Sequence, residues 1–454
     1  MSRRTTWTAL ALPVGAAALV VGASLLPRST TDPAGGPQRV DVVQSTYACP
    51  AGSVVTVGSG QLEPGERRDF RVTPEREVDD AASDAGRWTT SRIAGDGVIV
   101  TQTGRESGAV GFFAGVAGKA GGGGLVVGHC GSIVDDAWFL GLGTADERSS
   151  TLILSNMSDT PAVADLRLWG PEGEIDAVDA TGIALDPYTV RRIPVADLAA
   201  GEPALALQVA RRRGLLSAVV NDGSTATFAG TEPIGATAAP STDQYLPGVE
   251  SGRRGKTLLL LNPGDRTARV DVESLASDGP VSDRRLQGVK VPAGRFVEVD
   301  VPTSAPRGRQ ALHVSSDEPV AASVRVEPGT KDYSVVEAGA ALDGPAVVPV
   351  ELGRSVSAPR LLLTAPGDDA SVTVTAYDDR MRSIGSADTA VPGRSTVTLD
   401  TADVTADGDV AYLVVTPKGR VVGAATYADG SLVSSLLLES APTRIEVPQV
   451  VPVD

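Results

Sequence analysis

The 454-residue chain contains few of the residues from which catalytic and metal sites are usually built. Two His, two Cys and three Met are too few for most imidazole-, thiol- or metal-based constellations. The G-x-S-x-G and H-E-x-x-H signatures of common hydrolases do not occur. We therefore expect a protein that is not an enzyme, with no catalytic residues, no cofactor and no metal.

Positive charge and aromatic rings are also scarce. The 40 Lys and Arg are outnumbered by 56 Asp and Glu, a net charge of −16, so the electrostatic footprint of a nucleic-acid-binding protein is missing. Aromatic residues make up 4%, which leaves few rings for stacking on sugars or bases. The 42% of hydrophobic residues, with 51 Gly and 31 Pro, are typical of a globular chain that has many turns.

The N-terminus predicts export. Arg3 and Arg4 precede an uncharged stretch, Thr8 to Leu26, which is long enough for a signal sequence and marginal for a membrane span. Because no clear cleavage site follows, we expect residues 1–28 to form a membrane anchor with a cytoplasmic tip, followed by a flexible spacer over 29–40. A cleaved signal and a secreted protein is the alternative.

A repeat of about 105 residues is the most informative feature of the sequence. Three landmarks recur in the same order: an apolar run that ends in a turn, a strand bounded by Pro, and a pair of strands. The matched positions of the first landmark are Asn156, Asn262 and Ala365, and those of the second are Pro187, Pro292 and Pro392.

The strands within each repeat alternate apolar and polar residues and are separated by turn signals, as at Val270 and Val272. This pattern predicts an all-β protein with three tandem immunoglobulin-like β-sandwich repeats, over 136–240, 241–343 and 344–454, the last with a C-terminal tail. The segment 41–135 is β-rich but lacks the landmarks, so we predict a separate N-terminal β-domain there.

Cys49 and Cys130 lie near the two ends of that N-terminal domain. In an oxidising compartment an even pair of this kind most simply forms a disulfide. A redox-active pair is the alternative, but the C-x-x-C spacing that would support it is missing.

Two tryptophans are the candidate ligand-binding residues. Trp88 and Trp169 are less constrained by the repeat than Trp138 and Tyr245, which occupy matching positions and are expected to pack. An exposed indole ring is a common platform for a sugar.

Other conspicuous residues have simpler structural interpretations. His129 and His313 are too isolated for a metal site, and the segment from Gly115 to Gly124 fails the phosphate-loop pattern and predicts a hairpin loop. The run from Arg211 to Arg213 predicts a solvated turn, with an acidic partner as the alternative. Asp403, Asp407 and Asp409 predict an acidic loop, with calcium binding as the alternative.

The segment from Gly128 to Ile175 resembles exported actinobacterial proteins of domain-of-unknown-function family 5719. Cys130, the aromatic pair Trp138-Phe139, the strand end from Leu152 to Asn156 and the turn at Gly173 carry the resemblance. It continues more weakly through the repeats to Pro442. The resemblance implies export, β-rich repeats and association with the cell envelope, and it implies no known activity.

These observations predict an extracytoplasmic cell-envelope protein of unknown molecular function, acting as a scaffold or protein-interaction module. The alternative is a carbohydrate-binding accessory module acting on cell-wall polysaccharide, with Trp88 and Trp169 as its binding rings. The expected partners are a cell-envelope protein or wall polysaccharide and, through the N-terminal helix, the membrane; nucleic acid is not expected.

Overall fold

The structure is a computed structural model that describes residues 38–447 except 43, 51–53, 60–69, 74–87, 93–96, 104–108, 117–122, 226–229, 251–254, 303–307, 328–331, 353–355, 407 and 442–443. The regular secondary structure of these residues is almost entirely β-strand, which confirms the all-β class. The helical elements among them are a one-turn helix, α1 (Thr401–Val404), and two 3₁₀ turns, Val195–Asp197 and Arg284–Leu286. The predicted signal or anchor helix lies outside the described residues, and within them no helix has the length and apolarity to cross a membrane.

The chain divides into two compact units, Met1–Val40 with Arg444–Asp454, and Asp41–Thr443. Among the described residues the first unit contains β34 (Arg444–Val447) and all but the last residue of β1 (Gln38–Asp41), and these two strands pair in a two-stranded sheet. The second unit carries the other strands.

The strands of the second unit fall into four groups, each with two antiparallel layers. Group N forms sheets of order β2-β6-β4 and β5-β3-β7-β8. Its strands are β2 (Gln44–Pro50), β3 (Val54–Ser59), β4 (Phe70–Thr73), β5 (Thr89–Arg92), β6 (Gly97–Thr103), β7 (Ala109–Val116) and β8 (Leu125–His129).

Group 1 begins with β9 (Asp136–Leu142) and ends with β17 (Gly230–Ile234). Between them lie β10 (Arg148–Asn156), β11 (Ala162–Gly170), β12 (Gly173–Ile175), β13 (Ile183–Leu185), β14 (Val190–Pro194), β15 (Leu205–Arg213) and β16 (Leu216–Ser224). The sheets have the order β12-β11-β15-β9, with β13 also on β11, and β14-β10-β16-β17.

Group 2 contains one strand that serves both of its layers. Its strands are β18 (Ser241–Val249), β19 (Gly255–Asn262), β20 (Ala268–Ala276), β21 (Gly279–Ser282), β22 (Val289–Val291), β23 (Arg295–Asp300), β24 (Gln310–Glu327) and β25 (Ser334–Glu337). The first half of the 18-residue β24 pairs with β18 and β20, and the second half pairs with β19 and β25.

Group 3 has two separate four-stranded sheets, of order β26-β31-β28-β29 and β30-β27-β32-β33. Its strands are β26 (Ala346–Pro349), β27 (Arg360–Ala365), β28 (Ala370–Tyr377), β29 (Ser383–Val391), β30 (Ser395–Asp400), β31 (Tyr412–Lys418), β32 (Val422–Asp429) and β33 (Leu432–Leu437).

The four groups share one strand order. In each group the first strand is an edge strand of one sheet, as β2 is in β4-β6-β2 and β26 is in β29-β28-β31-β26. The last strand is an edge strand of the other sheet, as β8 is in β5-β3-β7-β8 and β33 is in β30-β27-β32-β33. Group N, which the sequence sets apart because it lacks the three landmarks, therefore has the topology of the other groups. Ladder pairing is made by backbone N–H and C=O groups, so the topology persists where the side-chain landmarks do not.

A buried asparagine accounts for the strongest landmark. Asn262, at the end of β19, donates from Nδ2 to the carbonyls of Arg266 and Val291 at 2.6 and 3.0 Å, and its Oδ1 accepts the N–H of Gly264 at 3.0 Å. Asn156 makes the equivalent bonds at the end of β10. The asparagine thus satisfies buried backbone groups of the turn that follows each apolar strand.

The four groups contact one another in a closed cycle. Met157 packs on Ala48 and Ile99 between groups 1 and N, and Trp169 of group 1 packs in a cluster with Leu259 and Phe296 of group 2. Tyr245 and Leu275 of group 2 pack with Val422 of group 3. A single core then joins group 3 to group N, with Trp88 stacked on Tyr412 at 4.5 Å between ring centroids.

Candidate functional site

The last strands of the four groups, β8, β17, β25 and β33, meet in the interior of the Asp41–Thr443 unit. Each is paired on one side only in its own sheet, so its free edge presents backbone N–H and C=O groups. Side chains from neighbouring groups satisfy several of these edges. Ser434 of group 3, for example, accepts the N–H of Val127 at 3.1 Å.

Asp332, directly before Tyr333 and β25, connects three groups. Its Oδ2 accepts the N–H of Leu125 in group N at 3.1 Å and of Val433 in group 3 at 2.9 Å, while Oδ1 accepts the N–H of Tyr333 at 3.0 Å. Burial raises the pKa of Asp332 to about 6, although these backbone donors oppose the shift.

Two more buried carboxyl groups lie beside it. Glu232 on β17 is fully buried and accepts the N–H of Val335 and the hydroxyl of Ser434, both at 3.3 Å. Burial, with Asp332 and Glu337 nearby, holds the pKa of Glu232 well above its usual range. Glu337 accepts the N–H of Gly235 at 2.7 Å, and burial raises its pKa to about 7.

A cleft of about 100 Å³ opens beside these strands. Its acidic lining residues are Glu337, from β25, and the exposed Glu439, which follows β33. His129 also lines it and lies with Nε2 2.8 Å from the carbonyl of Leu437. None of the described lining residues is Lys or Arg, and no group of three or more potential metal ligands occurs in the part of the chain that the structure describes.

The predicted disulfide is confirmed, and it borders this cleft. Cys49 on β2 is bonded to Cys130, which directly follows β8, so the bond joins the two sheets of group N. Gly111 is required beside it, because a Cβ at that position would lie 2.3 Å from the Tyr47 ring and 3.1 Å from the Cys130 sulfur.

Trp88 and Trp169, expected as exposed binding rings, are both buried. Trp88 is 5% exposed and stacks on Tyr412, and Trp169 is fully buried with its ring 5.5 Å from that of Trp138. Neither ring is presented to a ligand. Trp169 of group 1 packs with Phe296 of group 2, a contact between groups that a comparison of the repeats cannot reveal. Trp138 and Tyr245 are buried and pack as expected.

The remaining conspicuous residues have local roles. The arginine run lies at the end of β15 rather than in the turn, where Arg211 pairs with Asp135 and Arg212 with Asp165. Asp403 caps α1 by accepting the N–H of Asp400 at 2.9 Å. The glycine-rich segment connects the paired strands β7 and β8, although residues 117–122 lie outside the described part. Asp407 lies outside it too.

His313 is half-buried between charged and aromatic partners. Its Nε2 lies 2.6 Å from Asp243 Oδ1, and its ring stacks on Tyr245 at 4.6 Å between centroids.

The acids Glu232, Asp332 and Glu337 are functional candidates that the sequence interpretation missed, because its acidic candidates were limited to Asp403, Asp407 and Asp409. A signal is present. Glu232 lies in the strand Gly230–Ile234 and Glu337 ends the apolar strand Ser334–Glu337, and an acid inside a buried strand requires hydrogen-bond partners.

The model of a family of unknown function, DUF5719, matches residues 88–402. This chain belongs to the DUF5719 family. The match runs from Trp88 in group N to α1 in group 3. This DUF5719 protein therefore resembles its family over β5–β8 of group N, over groups 1 and 2, and over β26–β30 of group 3. No curated protein matches the chain. The family's description assigns no activity to the residues around the cleft.

Proposed function

We propose that this DUF5719 protein is a non-enzymatic scaffold of the cell envelope that binds another envelope protein. Each group is interpreted as an immunoglobulin-like sandwich, so that four sandwiches form one platform. The observation that carries the proposal is the closed cycle of contacts, in which every group shares buried residues with two neighbours. A rigid platform holds a binding surface in place and lowers the entropic cost of association.

The buried acids support this role. Asp332, Glu232 and Glu337 all accept backbone N–H groups from other groups of the unit. Carboxyl groups used in this way hold the groups together, and such hydrogen bonds are costly to break in a buried setting.

Export is part of the same proposal. The uncharged stretch from Thr8 to Leu26 is typical of a signal or an anchor, and a disulfide between Cys49 and Cys130 is typical of proteins outside the cytoplasm. We infer attachment to the outer face of the membrane, or secretion if the signal is cleaved.

One end of group 1 supplies the proposed contact surface. Ile133, Leu215 and Tyr188 are 45%, 40% and 46% exposed, and backbone bonds tie their segments together, among them Met157 N to Leu215 O at 2.8 Å. Exposed apolar side chains on neighbouring segments are typical of protein interfaces.

Proximity labelling of the full-length protein in its native host, with fractionation of membrane and medium, tests the proposal. We expect one envelope protein to be enriched by the wild type and by Val281→Asp, a control whose side chain is 45% exposed on group 2. Leu215→Asp should lose the partner. Equal enrichment with Leu215→Asp and Ile133→Asp would refute this surface, and no enriched protein would refute the scaffold.

Glycan binding is the second candidate function, through a different place from the two tryptophans. A cleft of about 200 Å³ in group 1 is lined by hydroxyl, amide and carboxyl side chains, among them Thr151, Asn221 and Thr225. Such groups can form hydrogen bonds with the hydroxyls of a sugar. A glycan array on the full-length protein and on Asn221→Ala tests this candidate. We expect the wild type to bind a glycan that the variant does not bind. An array on which the wild type binds nothing would refute glycan binding.

A further inference from the structure

The cleft beside the last strands has the features of a small, acidic binding pocket. Three of the four groups place a side chain with a titratable group in its wall: His129 from group N, Glu337 from group 2 and Glu439 from group 3. Group 1 contributes backbone and apolar atoms, including Ile234 and Gly235. The pocket therefore exists only in the assembled unit.

The charge of the pocket favours a cation. Glu337 and Glu439 are its carboxyl groups, and its described lining contains no Lys or Arg. A carboxylate has about four acceptor sites, and Glu337 uses Oε1 for the N–H of Gly235 at 2.7 Å, so it retains capacity for a further donor. Since a carbonyl can only accept, the His129 Nε2 donates to the carbonyl of Leu437.

The remaining wall suits an aliphatic stem. Phe113, Val127, Val219 and Leu436 line the cleft together with the Cys130 end of the disulfide. A volume of about 100 Å³ accommodates an alkyl chain and an ammonium group, and excludes a folded domain or a sugar chain. Long cationic side chains pack in this way, with an apolar stem and a charged tip.

We propose that this cleft binds a protonated primary amine of a partner protein, with Glu337 and Glu439 holding the ammonium group and the apolar wall holding the stem. The inference rests on the scaffold function proposed above and adds the chemical class that the platform recognises. A lysine side chain and a protein amino terminus share this chemistry.

Titration of the full-length protein with small amines tests the site. The probes are Nα-acetyl-lysine amide, L-alaninamide as a mimic of an amino terminus, and Nα-acetyl-norleucine amide, which has a lysine-like stem without the ammonium. At pH 8 Glu337 and the lysine amine are charged, and about half of the alaninamide is protonated because an α-amino group has a pKa of about 8, so its Kd is corrected for the protonated fraction. We expect a millimolar Kd for one of the two amines and at least tenfold weaker binding of the norleucine probe. Preference for the lysine or the alanine probe identifies the source.

Three variants make the test specific. Glu439→Gln removes an exposed carboxylate and should weaken amine binding several-fold without affecting folding. Glu337→Gln should weaken it further, and Glu172→Gln, whose side chain is 96% exposed on group 1 away from the cleft, should leave it unchanged. Equal binding of the norleucine probe, or an unchanged Kd in both Glu439→Gln and Glu337→Gln, would overturn the proposal.

The failures of the two proposals can be told apart. If Glu439→Gln and Glu337→Gln still capture the native partner and no amine binds, the scaffold stands and the amine site is wrong. If the wild type captures no partner while amines bind and the variants weaken them, the pocket stands and the proposed scaffold function is wrong.

Discussion

Two buried polar side chains in this protein, Asn262 and Asp332, hold separate backbone segments together. Asn262 bonds a turn to the strand before it, and Asp332 bonds the edges of two neighbouring groups. Both are almost fully buried, so their alternative partners in water are missing. Removing such a group leaves buried backbone donors or acceptors unsatisfied, which costs more than the bond itself contributes.

Replacement of Asn262 should reveal this cost. We expect Asn262→Ala to lower the free energy of unfolding by about 2 to 4 kcal/mol, because the carbonyls of Arg266 and Val291 lose their donor. Urea unfolding followed by circular dichroism measures the change. Arg266→Ala, which removes only an exposed ion pair with Glu318, is the control and should cost less than about 1 kcal/mol. Equal losses in the two variants would contradict the argument.

The buried acids should make the protein less stable as the pH rises. The folded-state pKa values of Asp332 and Glu337, about 6 and about 7, exceed their ordinary values of 3.8 and 4.5. The folded state therefore binds more protons than the unfolded state in this range, and the stability they contribute is lost as the pH rises through the folded-state pKa. We expect the free energy of unfolding to fall between pH 4.5 and pH 7.

Glu337→Gln should flatten that decline, because glutamine cannot lose a proton, whereas Glu172→Gln should leave it unchanged. Denaturant titrations at a series of pH values check both variants. A stability that rises over this range in the wild type would refute the assignment.

At the scale of elements, the turns before β14, β23 and β30 show where a local conformation is strained. In each turn the third residue has a positive φ: 52° at Tyr188, 65° at Gly294 and 56° at Arg394. The repeat alignment matches Pro187 with Pro292. The backbone hydrogen bonds that close the two turns are accepted by Asp186 and Pro292, so the structure matches Pro292 with Asp186, one residue before Pro187. Arg394 pairs with Glu273 of group 2, while the half-exposed Tyr188 belongs to the proposed contact surface.

Tyr188→Gly should therefore stabilise the fold and impair binding. Glycine adopts a positive φ without the steric cost that tyrosine bears, so we expect a gain of about 0.5 to 1 kcal/mol in the free energy of unfolding. Capture of the native partner should decrease at the same time. The readouts are the denaturant midpoint and the yield of labelled partner; a loss of stability, or full capture, would contradict the prediction.

At the scale of the whole molecule, the cycle of shared cores should make the four groups unfold together. Group N and group 3 are far apart in the chain, yet Trp88 and Phe112 belong to the same core as Tyr412 and Leu436. When either group unfolds, the shared core residues of the other group are exposed to water as well, so the two groups lose stability together. The unit should therefore unfold cooperatively.

Trp88→Ala tests this closure. Removing a buried tryptophan should cost about 3 to 5 kcal/mol, and the loss should be felt by group 3 as well as by group N. We expect a single denaturant transition in the wild type, at a higher midpoint than in the variant. Hydrogen exchange of the β31 and β8 amides at increasing denaturant concentration follows group 3 and group N separately. Separate transitions in the wild type, or lost protection in β8 alone, would show that the groups are independent.

The sequence predicted those features that depend on local pattern. Alternation such as that at Val270 and Val272 indicated β-strands, because one face of a strand is buried, and an even pair of cysteines indicated the disulfide of Cys49 and Cys130. The landmark at Asn156 and Asn262 was visible because one side chain makes the same local bonds twice.

The tertiary structure alone decided which group touches which. Trp88 and Trp169 are buried by residues far away in the chain, Tyr412 and Phe296, and no local pattern encodes such a partner. For the same reason Glu232, Asp332 and Glu337 come together only when the last strands meet. Backbone pairing also gave group N the topology of the other groups without their side chains. Local residue order determines strands and turns, whereas contacts between distant surfaces determine the closed cycle and the cleft within it.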